Sequence, residues 1–150
     1  LGATSTVTTS KLFLKIGKII RETKGVKKTM FTCCVRYVVD VKKLPEFREY
    51  ATTWIALIER YGGTHHGYFM PGGPTDCFPE AAFSFPGLGA SGPANLAIAL
   101  FSFPSVDTYE AYRRDVIHDP ECKAITARFN ETQCFLSYER NFLTPLFGSA

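Results

Sequence analysis

The apolar spacing of this chain switches from two residues to between three and four and back again, and it does so twice. Phe31, Cys33, Val35, Tyr37 and Val39 alternate with Thr32, Cys34, Arg36 and Val38, the period of a strand. A turn follows over 40–43, and Pro45 then suits the first turn of a helix, where its missing N–H costs nothing. Leu44, Phe47, Ala51, Trp54, Ile58 and Tyr61 recur at helical spacing until Gly62-Gly63 stops the run. Thr64 to Met70 reads as a second strand and Asn95 to Phe103 as a third, apolar enough to be central in a sheet. Ser105 is placed to cap a second helix with Val106, Tyr109, Tyr112 and Val116 inward. Asp119-Pro120 restarts that helix, and Thr132 to Leu143 is the last strand. The order strand, helix, strand, strand, helix, strand predicts an α+β, ferredoxin-like fold: a four-stranded antiparallel sheet with two helices on one face. The other face is left open and partly apolar, which predicts a partner, most simply a second copy of the chain.

Charge divides the chain. Residues 1–30 hold seven Lys/Arg and one acid, whereas the rest holds ten bases and thirteen acids, so the net +3 hides a basic start and a mildly acidic body. That body offers no basic patch for nucleic acid. Residues 1–29 are expected to be a basic tail or leader, either unstructured or a short amphipathic helix carrying Leu12, Ile16, Ile19 and Ile20; Met30, the first methionine, directly precedes the first strand. No apolar run approaches the ~20 residues of a transmembrane helix. The five cysteines (Cys33, Cys34, Cys77, Cys122, Cys134) are odd in number and form no Cys-x-x-Cys, pointing to a reduced, cytoplasmic setting. The folded domain is expected over 30–150, interrupted by a Pro/Gly-rich loop at 71–94.

Several short pieces then line up. Tyr37, Lys43-Leu44-Pro45-Glu46-Phe47, the Gly62-Gly63 break, Phe101-Ser102-Phe103, Tyr109-Glu110-Ala111-Tyr112-Arg113, Asp119-Pro120-Glu121 and Glu139 through Leu143 to Pro145 follow one another over residues 31–147. In order and spacing they resemble the NIPSNAP family, a branch of the dimeric α+β barrels. The likeness departs at Arg36, which directly precedes Tyr37 where the family has Arg-x-Tyr. The resemblance implies a homodimer whose sheets pack into a barrel around a cavity. It also implies that His65 and His66, on an edge strand, lie near Glu139 and Arg140 of the partner subunit. Relatives in the superfamily include cofactor-free oxygenases, lactone isomerases and haem-degrading enzymes, while the branch itself has no settled reaction.

The chemical candidates begin with His65-His66, two of three histidines. Neighbouring strand residues point to opposite faces, so the pair cannot readily share an ion, and no metal site is expected. Alternation puts His66, Tyr68 and Met70 towards the helices and His65 towards the barrel cavity; a bulge would reverse this. The cavity histidine, His65 or His66, is a candidate general base or haem ligand, with a hydrogen bond at the dimer seam as the alternative. Arg36 would hold a carboxylate or enolate oxygen, or pair with Glu139 across the subunits. Tyr37 and Tyr68 are donors to a ligand or simply core, and Phe83 and Phe85 belong to a loop that either closes over the cavity or stays a mobile hairpin. Together with Glu139 and Arg140, these four aromatic residues form the expected ligand contacts. The expectation is a homodimeric barrel that binds a small, mostly apolar molecule without a resident cofactor. The alternative is a cofactor-independent oxygenase or isomerase, or a haem-degrading enzyme.

Overall fold

A computed structural model describes residues 29–72 and 85–147. Phe83, Cys77 and the expected N-terminal helix lie outside the described residues. The described chain forms β1 (Phe31–Val39), a 3-10 turn (Val41–Lys43), α1 (Leu44–Arg60), β2 (Thr64–Phe69) and β3 (Leu96–Phe103). It continues through α2 (Val106–Asp115), a second 3-10 turn (Val116–His118), α3 (Pro120–Thr132) and β4 (Phe135–Leu143). The strands make one antiparallel sheet in the order β2-β3-β1-β4, so β2 and β4 are the edges. This is the expected ferredoxin-like arrangement, its second helix divided into α2 and α3 by the 3-10 turn.

Local chemistry sets the boundaries. The Ser105 side chain accepts from Thr108 N–H at 3.1 Å and caps α2, while Asp119 Oδ1 accepts from Glu121 N–H at 2.8 Å and caps α3. The other Asp119 oxygen accepts from Arg60 at 2.8 Å and from the Tyr61 hydroxyl at 3.0 Å, so one carboxylate ties the end of α1 to the start of α3. Burial alone would raise the Asp119 pKa, but these donors hold it below the ordinary carboxylate value. The last strand begins at Phe135, not Thr132 as the alternation suggested. Residues through Thr132 complete α3, and Gln133 turns the chain in the left-handed conformation (φ 49°).

The core lies on the helix-covered face. Cys33, Val35, Tyr37 and Val39 of β1 and Ala97, Ala99, Phe101 and Phe103 of β3 meet Phe47, Leu57 and Ile58 of α1 and Tyr112 of α2. At the end of α1, Gly62 takes φ +86°, and Gly63 passes close under the core. A Cβ at Gly63 would sit 2.7 Å from an Ile58 methyl and 2.9 Å from the Phe103 ring, both groups buried. Gly63→Ala is therefore expected to destabilise the fold by about 1–3 kcal/mol in urea unfolding, the usual cost of overpacking.

Candidate functional site

The edge strand β2 contains the feature that organises the site. Its pairing with β3 runs Thr64–Ser102, His65–Phe101, then Gly67–Leu100, Tyr68–Ala99 and Phe69–Ile98, so His66 is an extra, bulged residue. Gly67 makes the bulge possible at φ +111°, a conformation L side chains rarely adopt. Because one residue is skipped, His65 and Tyr68 both face the helices, opposite the core residues Phe101 and Ala99. The sequence assignment of His65 to the open face and His66 to the helices is thus reversed for both residues, and the bulge is the physical reason.

On the open face, His66 Nε2 is 2.7 Å from Ser102 Oγ, which is 2.8 Å from Thr32 Oγ1. Arg36 and Glu139 face each other across β1 and β4, with nitrogen and oxygen 3.8 Å apart. Arg36 therefore has an acidic partner within its own chain. Phe85 is exposed and contacts none of these groups in the described structure.

On the helix face the side chains enclose a chamber of about 300 Å³ between sheet and helices. Tyr37, His65, Tyr68, Phe101, Tyr138 and Arg140 project into its wall from the strands, and Tyr50, Trp54, Ile58, Tyr112 and Arg113 from the helices. The sequence candidates Tyr37, Tyr68, His65 and Arg140 therefore meet here, while Arg36, His66 and Glu139 do not. Glu139 and Arg140, neighbours in an edge strand, point to opposite faces.

His65 lies stacked on Tyr68, ring centroids 5.1 Å apart at 15°, and near Phe101 at 5.8 Å. Its Nδ1 accepts from Gly67 N–H at 2.9 Å. A backbone N–H can only donate, so the neutral ring carries its proton on Nε2. That Nε2 is buried and has no partner among the described residues, and the same holds for Trp54 Nε1. Burial, with a smaller contribution from His66, lowers the His65 pKa from 6.5 to about 4. Burial also pushes Tyr37, Tyr50, Tyr68 and Tyr112 above the usual phenol value, so all four are neutral hydroxyls at physiological pH.

This predicts a stability effect with a definite sign. The folded pKa of His65 lies below the unfolded one, so the unfolded chain binds the extra proton first. The contribution is complete above pH 6.5 and disappears as pH falls towards 4. With allowance for the partial exposure of the ring, wild type is expected to lose about 1–2 kcal/mol more than His65→Asn across this window. Parallel denaturation curves at several pH values measure the difference.

Residues 83–149 match the family model described as NIPSNAP. Over that stretch the chain resembles the NIPSNAP family. Its fold is shared with solved NIPSNAP structures. One, a NIPSNAP family protein of unknown function from Agrobacterium tumefaciens, has 17% identity and TM-score 0.57, covering 81% of this chain and 93% of that one. A second from the same organism has 21% identity and TM-score 0.58, with 81% and 90% covered. An uncharacterized NIPSNAP-like domain protein from Burkholderia xenovorans has 18% identity and TM-score 0.56, with 82% and 90% covered. No curated protein matches the chain. The NIPSNAP match spans the Phe101-Ser102-Phe103, Tyr109–Arg113 and Asp119-Pro120-Glu121 pieces, and three of their residues, Phe101, Tyr112 and Arg113, line the chamber.

Sequence reasoning missed Tyr50, Trp54, Tyr138 and Arg113 as chamber residues. Trp54 and Tyr112 stand at helical spacing and read as plain core. A signal existed for the bulge: a glycine inside a strand pattern next to polar residues.

Proposed function

We propose that this NIPSNAP-like chain binds a small, mostly apolar molecule in the chamber between its helices and its sheet, as a homodimer joined through the open sheet faces. The chamber carries the reading. Its volume is at the small end of the ~300–1,000 Å³ usual for ligand pockets, and aromatic walls carry a few polar groups. Two of its lining residues, His65 and Trp54, each carry a buried N–H without a partner among the described residues, and such groups are costly to bury unless something meets them. Trp54 is the only tryptophan, so the protein has a single indole N–H resonance, and it sits in the chamber wall. Titration with 1-naphthalenemethanol is expected to move that resonance saturably. An unmoved resonance at saturating probe would contradict the proposal.

The dimer rests on the open face. Val38, Leu96, Ile98, Leu100, Phe69 and Leu143 lie on it, and Phe69 and Leu143 remain 55% and 47% exposed. Several of its polar groups already have partners within the chain, as Arg36 with Glu139 and His66 with Ser102, which lowers the cost of covering them. Light scattering is expected to give the mass of two chains, and Ile98→Glu that of one.

Binding is favoured over base catalysis by the protonation states in the chamber. The oxygenase or isomerase alternative needs a proton acceptor, but His65 Nδ1 is occupied by Gly67 N–H, the tyrosines hold their protons, and no Asp or Glu lines the wall. Haem ligation by His65 fits no better. Iron would need the Nε2 lone pair, and metal-bound histidines donate from the other nitrogen, whereas here the other nitrogen accepts. Hemin titration is expected to show no Soret shift attributable to His65, with wild type and His65→Asn alike. No helix among the described residues is long and apolar enough to cross a membrane.

A further inference from the structure

The chamber has a one-sided chemical inventory. Two arginines and no carboxylate line it. Among the described residues neither Arg113 nor Arg140 forms an ion pair, whereas Arg36, Arg60, Arg114 and Arg128 each have an acidic partner. Arg140 is held in place by aromatic neighbours. Its guanidinium lies 5.9 Å from the Tyr138 ring centre and donates to the Tyr109 hydroxyl at 3.4 Å. It projects from β4 on the same side as Tyr138, opposite the core residue Val35.

The neutral polar groups have the same bias. His65 offers Nε2–H and Trp54 offers Nε1–H, both buried and both without an acceptor among the described residues. The Gly67 N–H, by occupying Nδ1, prevents His65 from presenting an acceptor instead. Donors and positive charge thus surround aromatic walls formed by Tyr68, Phe101 and the indole. A cation would meet like charge, and a neutral hydrocarbon would leave the buried N–H groups unanswered.

Resting on the reading that this chamber is a ligand site, we infer that its ligand is a small aromatic acid: a flat ring between the aromatic walls, an anionic oxygen group facing Arg140 and Arg113, and acceptor oxygens for His65 Nε2–H and Trp54 Nε1–H. Charge-assisted hydrogen bonds then give the site its selectivity.

Three probes of one ring system and different charge test this: 1-naphthoate, 1-naphthalenemethanol and 1-naphthylmethylammonium. Calorimetry and the Trp54 indole resonance report binding to the full chain. Naphthoate is expected to bind at least about ten-fold more tightly than the alcohol, and the ammonium more weakly than either. Arg140→Gln, which keeps a donor and removes the charge, should shrink the preference for naphthoate over the alcohol to less than about three-fold. Equal affinity for acid and alcohol, or a preference for the ammonium, overturns the inference while the chamber remains a binding site. If none of the three moves the indole resonance, the binding reading falls with it. The ranking of probes on wild type decides the matter even if Arg140→Gln fails to fold.

Discussion

Phe47→Ala is expected to destabilise the protein by about 3–5 kcal/mol, the range for removing a buried phenylalanine ring. Phe47 is fully buried under the chamber. Its ring contacts Tyr37 at 5.3 Å, Tyr50 at 6.0 Å, Tyr68 at 6.0 Å and Phe135 at 6.2 Å, so it joins α1 to three strands through one aromatic cluster. Truncation leaves a void that this cluster cannot fill without moving the tyrosines of the chamber wall. Phe47→Leu, which retains most of the volume, should lose much less. Urea denaturation of the two variants, with the Trp54 resonance as a reporter, separates lost packing from a displaced wall. Equal and small losses would mean that the cluster does not support the chamber wall.

Gly67→Val should have the second largest effect, and it bears on function more directly. Nothing lies within 4 Å of a Cβ built at Gly67, so the cost is conformational and not steric crowding from neighbours. A β-branched residue at φ +111° carries strain of about 1–3 kcal/mol. The chain can relieve it only by giving up the bulge. Regular pairing cannot keep both His65 and Tyr68 on the helix face, because side chains in a strand alternate. One of the two then leaves the chamber. The variant is therefore expected to lose stability and to weaken 1-naphthalenemethanol binding together. Lost stability with unchanged binding would show that the bulge does not govern the site.

The strands and helices were legible because their apolar residues keep time with the backbone. Tyr37, Phe47 and Ile58 stand where a period of two or 3.6 puts them, and Pro45, Ser105 and Asp119 sit at helix starts as their chemistry requires. The site was legible only in part. His65, Tyr37, Tyr68 and Arg140 were singled out, yet the cavity was expected on the open face of the sheet. The bulge at His66 depends on one glycine dihedral, which alternation does not encode. The chamber itself arises where α1, α2 and α3 fail to close fully over the sheet, so Trp54 and Tyr112 look like ordinary core residues in the sequence. Arg36 and Glu139 illustrate register: two residues expected to meet across subunits are directly paired across β1 and β4 in one chain.

His65 stands in the chamber wall as a neutral N–H donor, and the ligand contact proposed for its Nε2–H depends on that state. Nitrogen-15 NMR of the imidazole rings, followed from neutral pH into the acid range, tests this directly. Three histidines keep the spectrum simple, and His65→Asn assigns the signal. The Nε2–H tautomer is predicted to persist until pH about 4, with Nδ1 unprotonated throughout. Titration near the ordinary value of ~6.5, or a proton on Nδ1 at neutral pH, would contradict it.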